Sequence, residues 1–210
     1  MALADIQRIL TQILTSPEIR ERLRAEAESL TDAEGPRQEA IHAVMTIPPH
    51  QLGHYAKALV NKRCRAVGKC LPATLRMLGT DRFRERFRVH AEETWPTGPA
   101  RHRDDAIAFA EKLRRAPGPD CPDGVVDIAA YESAALRARD PSRRIVAVLA
   151  RYAPEDLISA STTGQRAADL IRRPTVVVWI RLWKGGPSRE FRFSTPQSRP
   201  IPSESATRLT

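Results

Sequence analysis

The histidines closest to a metal-binding spacing are His50 and His54, which lie four residues apart in HQLGH. On a helix, two imidazoles at this spacing share a face and could ligate one metal ion. Gln51 stands where the zinc-peptidase pattern has its general-base glutamate, and no third ligand is marked. The pair therefore favours a surface or helix-start role over a metal site.

The cysteines offer little nucleophilic chemistry. Cys64 and Cys70 are six residues apart, which places them about 240° apart around a helix, so their thiols do not converge. Cys64 lies among basic residues and is at most a mildly activated thiol. Because the chain has 3 cysteines and no CxxC pair, a secreted disulfide framework is disfavoured. We expect small, reduced, partly buried thiols.

Acidic and phosphate-binding patterns are also incomplete. The adjacent carboxylates of Glu92 and Glu93, and those of Asp104 and Asp105, point apart on a helix, and Asp104 is a candidate N-cap. WKGGPS contains Gly and Lys, but a phosphate loop needs a strand, a loop and then a helix, whereas here strand follows strand. No catalytic set emerges, so we expect a protein that is not an enzyme and holds no cofactor.

Hydrophobic periodicity predicts helices over most of the chain before residue 140. The patterns indicate a helical pair near the N-terminus, a long helix from about Pro49 to Leu71, a helix in DRFRERFR, and helices around 103–115 and 124–139. After Asp140-Pro141, RRIVAVLARY predicts a strand, PEDL to AADLI a weak helix, and TVVVWIRLWKGGPSREFRFS a hairpin that turns at Gly-Gly-Pro.

These elements predict an α+β, mostly helical fold. We divide the 210 residues into an N-terminal helical segment 1–48, a helical domain 49–140, and a small α+β domain 141–195 whose antiparallel sheet includes the hairpin. The tail 196–210 is rich in Pro, Ser and Thr and is predicted to be disordered. No stretch approaches the length of an apolar membrane span or signal peptide, so we expect a cytoplasmic protein.

The net charge of +9 suits an anionic partner. In DRFRERFR, however, Arg82 and Arg86 flank the phenylalanine stripe on one side, and Arg84 and Arg88 flank it on the other. Tracking a phosphate backbone needs the arginines gathered on one face. A DNA-binding regulator that uses basic helices is therefore the alternative hypothesis, which a clustered arginine face would favour.

Arg63 is the anomaly of the long helix. With Leu52 placed at 0°, Cys70 lies near 0° and Arg63 at about 20°, within the apolar stripe. A guanidinium there must pair with an internal carboxylate or face the acidic or carbonyl groups of a partner. A snorkelling side chain, or a helix bent enough to move it aside, is the third alternative.

The stretch YAKALVNKRCRAVGKCLPATLRMLGTDRFRERFRVHAEETWPTGP, followed by DDAIAFAEKL, contains Leu-x-x-Lys-Arg in a helix, Leu-Pro, Leu-Gly, an Arg-Phe helix and a Pro-rich turn. It resembles the helical domain of the HvfC/BufC and MbnC-type proteins, partner subunits of multinuclear non-haem iron oxidative enzymes that modify ribosomally made peptides. The resemblance covers about 49–139 and, less fully, 143–195.

The resemblance implies a heterodimer in which iron is held by the partner enzyme and this chain carries no cofactor. It also implies that the small C-terminal domain engages the leader of a precursor peptide. We assign the partner interface to Lys62, Arg63 and Arg65. The expected function is a non-catalytic subunit that binds a precursor (leader) peptide and presents it for oxidative modification in the biosynthesis of peptide natural products.

The first hairpin strand has two apolar faces, one with Val176 and Val178 and the other with Trp179, Arg181 and Trp183. We expect the first face to pack on the helices and the Trp/Arg face to bind peptide, which adds to a free sheet edge as a strand. A closed three-stranded sheet with RRIVAVLARY is the alternative. The candidate peptide-binding residues are Val176, Val178, Trp179, Arg181, Trp183, Phe191 and Phe193.

Overall fold

The computed structural model describes residues 47–96, 98, 100–183 and 185–195, together with Glu18, Glu21, Arg22 and Ala25. The described chain forms helices α1 (Pro49–Cys70), α2 (Pro72–Leu78), α3 (Thr80–Glu93), α4 (Arg101–Arg115), α5 (Val125–Ala138) and α6 (Pro154–Thr163), and strands β1 (Ile145–Ala150), β2 (Thr175–Ile180) and β3 (Arg189–Ser194). A short 3-10 helix covers Ala167–Asp169. Apart from those four residues, the predicted N-terminal helical pair lies outside this description, as does the tail from residue 196.

Prolines and glycines set the helix boundaries in the first half. Pro49 and Pro72 occupy the first positions of α1 and α2, where the missing N–H has no intrahelical partner to lose. The prediction ended the long helix at Leu71, one residue beyond the observed end, and did not include α2. Gly79, with φ 77°, ends α2 and precedes α3. Only glycine adopts this backbone conformation routinely.

Aromatic side chains fill the helical core. The phenylalanines at one-turn spacing in α3, Phe83 and Phe87, are both buried, as the sequence predicts. Their rings meet Phe109 of α4 edge-on, with centroids 5.1 and 5.4 Å apart. Val67 of α1 and Val125 of α5 complete this cluster. Edge-to-face rings of this kind add about 0.5–1.5 kcal/mol per pair beyond their buried area.

The C-terminal strands form one antiparallel sheet in the order β1-β2-β3. The register pairs Ala147 with Val178 across β1 and β2, and Val178 with Phe191 across β2 and β3. The α+β, mostly helical fold is thus confirmed. The hairpin strands β2 and β3 pair with β1, which makes a three-stranded sheet. β2 is central, so β1 and β3 are the two outer strands.

Helix α5 links the helical core to the sheet. Its small residues Ala134 and Ala138 pack against Val177 and Trp179 of β2. Helix α6 contributes Leu157 to a second cluster that includes Ile128 of α5. The chain beyond residue 140 therefore shares its buried surfaces with the helices before it.

Candidate peptide-binding surface

The face of β2 that carries Trp179 packs on α5, and Arg181, just beyond the end of the strand, lies against the end of the same helix. Trp179 is 6% exposed and Arg181 is 7% exposed, and the indole lies against the Tyr131 ring with centroids 5.5 Å apart. We expected this face to be exposed and to bind peptide, but it is the buried face of the sheet. Both faces of the strand are apolar, and the alanines of α5 leave room for the indole, so the larger side chains face inwards.

The guanidinium of Arg181 can be buried because it donates hydrogen bonds to backbone carbonyl oxygens. Its Nη2 donates to the Ala138 oxygen at 2.7 Å, and its Nε donates to the Arg143 oxygen at 3.3 Å. Nη1 donates to the Gly186 oxygen in the hairpin turn. Ala138 ends α5, where carbonyls have no intrahelical donor. Arg181 thus joins the helix end, the loop before β1 and the hairpin turn.

The opposite side of the sheet is open to solvent. We call it the open face, formed by the alternate apolar residues Ile145, Ala147, Leu149, Val176, Val178, Ile180, Phe191 and Phe193, with Arg189 at the β3 end of the row that contains Ile145 and Ile180. Leu149 is 69% exposed and Phe193 62%, and both lie beside Val176 in one cross-strand row. Apolar residues that are contiguous across three strands are typical of an interaction site.

The alternation of hydrogen-bonded and non-hydrogen-bonded pairs shows which backbone groups of the outer strands point away from the sheet. The Arg181 N–H donates to the Arg144 oxygen at 2.7 Å, so this pair is hydrogen-bonded and every second pair along the ladder is too. It follows that the N–H and C=O groups of Ile145, Ala147 and Leu149 point outwards from β1. No strand of the described chain pairs with this edge.

The outer edge of β3 is charged. The Thr195 N–H donates to the Pro174 oxygen, and the same alternation turns the backbone groups of Glu190 and Arg192 outwards. Arg192 forms ion pairs with Glu190 at 2.6 Å and with Glu155 at 2.9 Å. Charged side chains discourage pairing at an edge. β1, by contrast, reads IVAVLA and carries no charge.

Carboxylates of α5 and of the loop before it fix the C-terminal end of β1. Asp127 accepts hydrogen bonds from the backbone N–H and the Nε of Arg151, both at 3.0 Å. The Tyr152 hydroxyl donates to Asp123 at 2.5 Å. This hydrogen bond is the main reason that the pKa of Asp123 lies below its ordinary value. Because the strand is held at both ends, its edge is preorganised.

The predicted binding residues are thus divided by the fold. Val176, Val178, Phe191 and Phe193 lie on the open face, whereas Trp179 and Arg181 are buried beneath the sheet. Trp183 lies beyond the end of β2 and is exposed beside Gly186. The open-face residues of β1 were missed, although their alternation with Val146 and Val148 is visible in the sequence.

Arg63 is buried and paired with an internal carboxylate. Its Nε and Nη2 each donate to Asp105 at 3.0 Å, and Nη2 also donates to the Thr94 oxygen at 2.8 Å. The Trp95 ring lies 4.7 Å from the guanidinium carbon. At 4% exposure the side chain is not displayed on the surface, which corrects its assignment to a partner interface. Lys62 and Arg65, by contrast, are exposed on α1.

His90 also belongs to this buried cluster, and no pattern in the sequence predicts its place there. Its Nε2 lies 3.0 Å from Asp105 Oδ1. Burial opposes ionisation of Asp105, but hydrogen bonds from His90 and Arg63 and the Arg63 charge outweigh it, so the pKa of Asp105 is lowered. Asp104 is exposed in the first turn of α4, whose N-cap is Ala100, so the prediction of an Asp104 N-cap was wrong.

The remaining sequence candidates lie apart from these features. His50 and His54 are exposed on α1, and no group of three or more His, Cys, Asp or Glu side chains comes together within the described ranges. Burial raises the pKa of the Cys64 thiol, against the opposing charges of Arg84 and Arg65. No helix of the described part combines the length and apolar character that crossing a bilayer requires.

Comparison with known proteins gives one family match. The model of the SCO6045-like, C-terminal domain family matches residues 47–115. The matched range runs from just before α1 to the end of α4 and therefore includes Arg63 and Asp105, but not the sheet. No curated protein matches the chain.

Proposed function

We propose that this protein is an accessory subunit that binds an extended segment of a ribosomally made precursor peptide on its C-terminal sheet. It presents that peptide to an iron-dependent oxidative enzyme with which it forms a heterodimer. The iron belongs to the partner, and this chain contributes recognition rather than catalysis. The proposal places the complex in the cytoplasm, where ribosomally made precursors are first available.

The open face is the observation that carries the proposal. It presents Leu149, Val176 and Phe193 side by side on a sheet whose other face is already covered by α5. An extended peptide can add to an outer strand through its main chain and place alternate side chains against this surface. Main-chain hydrogen bonds then supply affinity that does not depend on sequence, and the apolar row selects the side chains.

The helical part supplies a second, basic surface for the enzyme. Lys62, Arg65 and Lys69 lie along one exposed side of α1, and none forms an ion pair with a described residue. The charges of Arg84 of α3 and of Arg65 both act on the Cys64 thiol, so each lies within electrostatic range of that residue. An acidic surface on the partner enzyme fits this arrangement, and charge complementarity of this kind mainly raises the association rate.

The same surface keeps DNA binding as the second candidate function. Of the α3 arginines, Arg84 acts on the Cys64 thiol together with Arg65 of α1. Arg82 and Arg86 instead line a cavity between α3 and α4 with Lys112. If the surface binds DNA, its affinity for a duplex falls steeply with salt, because bound counterions are released. The open face of the sheet has no role in that function.

Two variants separate the surfaces in one experiment. The protein is co-expressed with a multinuclear iron oxidase and a short precursor peptide, each taken from genes adjacent to its own, and each association is measured. Phe193→Glu on the open face should abolish peptide binding and leave oxidase association intact. Lys62→Glu combined with Arg65→Glu should do the reverse. Peptide binding that survives Phe193→Glu but not the α1 substitutions would overturn the assignment of the sheet.

A further inference from the structure

We propose that β1, and not β3, is the strand that receives the peptide, and that its ligand is an apolar alternating segment with acidic residues beside it. This inference rests on the proposed function and deepens it. The two outer strands differ in their charge and in where their outward backbone groups place a bound side chain. The difference in charge favours β1, because charged side chains discourage pairing at an edge. The difference in backbone direction fixes which ligand residues are hydrogen-bonded at each edge.

The first argument is the position of the new side chains. A segment added antiparallel to β1 forms hydrogen-bonded pairs with Ile145, Ala147 and Leu149, whose backbone groups point outwards. Residues that are directly opposite in a sheet project to the same face. The paired residues of the ligand therefore extend the open face by one strand and pack beside Ile145 and Leu149. A ligand with an apolar side chain at every second position would therefore cover the exposed side chains of Ile145 and Leu149.

At β3 the outward backbone groups belong to Glu190 and Arg192, whose side chains lie on the other side of the sheet. Both are engaged there, since Arg192 bonds Glu155 and Tyr131, and the Tyr131 hydroxyl donates to Glu190. A ligand strand on this edge would place its hydrogen-bonded residues beside those ion pairs. Apolar residues gain nothing at those hydrogen-bonded positions, and only the alternate residues of the ligand, opposite Phe191 and Phe193, would reach the open face.

The second argument is charge at the ends of β1. Arg143 and Arg144 precede the strand, both are exposed, and neither makes an ion pair with a described residue. Arg151 follows the strand and is shared with Asp123 and Asp127. Acidic ligand residues beside Arg143 and Arg144 would complement these two cations, neither of which has an ion-pair partner among the described residues.

The same charges disfavour a second copy of this chain as the occupant. Two β1 strands that pair antiparallel about Ala147 would place Arg151 of one copy opposite Arg143 of the other. Like charges directly opposite each other are destabilising in a sheet. A heterologous acidic segment avoids this conflict.

Proline substitutions distinguish the two edges. Ala147→Pro removes an N–H that points away from β2, so the sheet should keep its internal hydrogen bonds, as edge strands tolerate proline. Arg192→Pro is the matched change on β3. The probe is a fluorescent acetylated peptide, Asp-Asp-Val-Thr-Val-Thr-Val-Asp-Asp amide, and each variant is first checked for an unchanged thermal melting profile.

We expect Ala147→Pro to weaken probe binding by roughly tenfold or more, and Arg192→Pro to leave it unchanged. A probe with Lys in place of Asp should bind roughly tenfold more weakly to the wild type, with the gap closing at high salt. Equal affinity of the two probes would overturn the acidic-ligand assignment. Failure of the Asp-ended probe to bind the wild type would overturn the inference as a whole.

Disulfide trapping tests the edge without a proline. The probe with Cys at its central Val should crosslink to Ala147→Cys and not to Arg192→Cys or to the wild type. Crosslinking only at Arg192→Cys, or loss of binding only in Arg192→Pro, would move the receiving edge to β3 and leave the proposed function standing. If the native precursor binds but neither proline affects it, strand addition is wrong. If no precursor binds, the proposed function itself fails.

Discussion

Arg181 of the loop after β2 donates a hydrogen bond of 2.7 Å to the carbonyl oxygen of Ala138, the last residue of α5. This contact joins the sheet to the helical core where the chain passes from one to the other. A buried guanidinium is stable here because carbonyl oxygens of the loop and the turn also receive its protons. The sheet is therefore anchored to α5 on one face, while the side chains of Leu149 and Phe193 on its other face are exposed.

Removing this anchor should destabilise the fold. Arg181→Ala leaves the Ala138 and Gly186 carbonyls without their buried donor, and we expect a loss of about 2–4 kcal/mol in the free energy of unfolding. Urea denaturation measures it. Arg189→Ala, an exposed residue of β3, is the matched control and should change stability by less than about 0.5 kcal/mol. Equal effects would show that Arg181 is not an anchor.

The Arg63–Asp105 pair should behave as a buried ion pair within the helical core. Arg63→Ala leaves the Asp105 carboxylate buried beside His90 alone, and we expect a loss of about 3–5 kcal/mol. The double variant Arg63→Ala, Asp105→Ala should cost clearly less than the sum of the single variants. Asp104→Ala is the exposed neighbouring control. Additive losses would show that the two side chains are not coupled.

Acid sensitivity follows from the lowered pKa of Asp105. A carboxylate whose pKa is lower in the folded state contributes stability that is complete above its unfolded pKa and is lost as the pH falls through the folded value. The expected window therefore lies below about pH 4. Urea denaturation across this range should show a shallower acid decline for Asp105→Asn than for the wild type. Parallel curves would contradict the role of this carboxylate.

Gly124 should be intolerant of a side chain. It precedes α5 with φ 80°, and a Cβ there would lie 2.7 Å from a Leu157 methyl group and 2.8 Å from the Ala167 Cβ. Gly124→Ala combines backbone strain with overpacking, and we expect a loss of about 2–4 kcal/mol. Gly164→Ala has a similar φ of 75° and open space, so it should lose only about 1–2 kcal/mol. Similar losses in the two variants would exclude the steric contribution.

The sequence predicted the described helices other than α2, the strands, and the place of Arg63 in the apolar stripe of α1, because these depend on local periodicity. It did not identify Asp105 as the partner, since 42 residues separate the pair and only the packing of α4 on α1 brings them together. Glu132 is a similar case. It accepts hydrogen bonds from the backbone N–H groups of Ala73 and Thr74 at the start of α2. The sequence pattern did not predict this helix.

The two faces of β2 show why the site was only partly predicted. Alternation correctly divided Val176 and Val178 from Trp179 and Arg181. Which face is covered depends on α5, whose small Ala134 and Ala138 create space for an indole. That information lies in a different element, so the pattern of β2 alone could not supply it.

Amide hydrogen exchange of the wild type, with and without the precursor peptide, tests most directly that the sheet binds an extended peptide along β1. In the free protein the outward N–H groups of Ile145, Ala147 and Leu149 should exchange quickly, while those of Val146 and Val148, bonded to β2, exchange slowly. We predict that the peptide slows the three outward amides and leaves the two inward ones unchanged. Protection that appears only on α1 and α3, with β1 unaffected, would contradict the account.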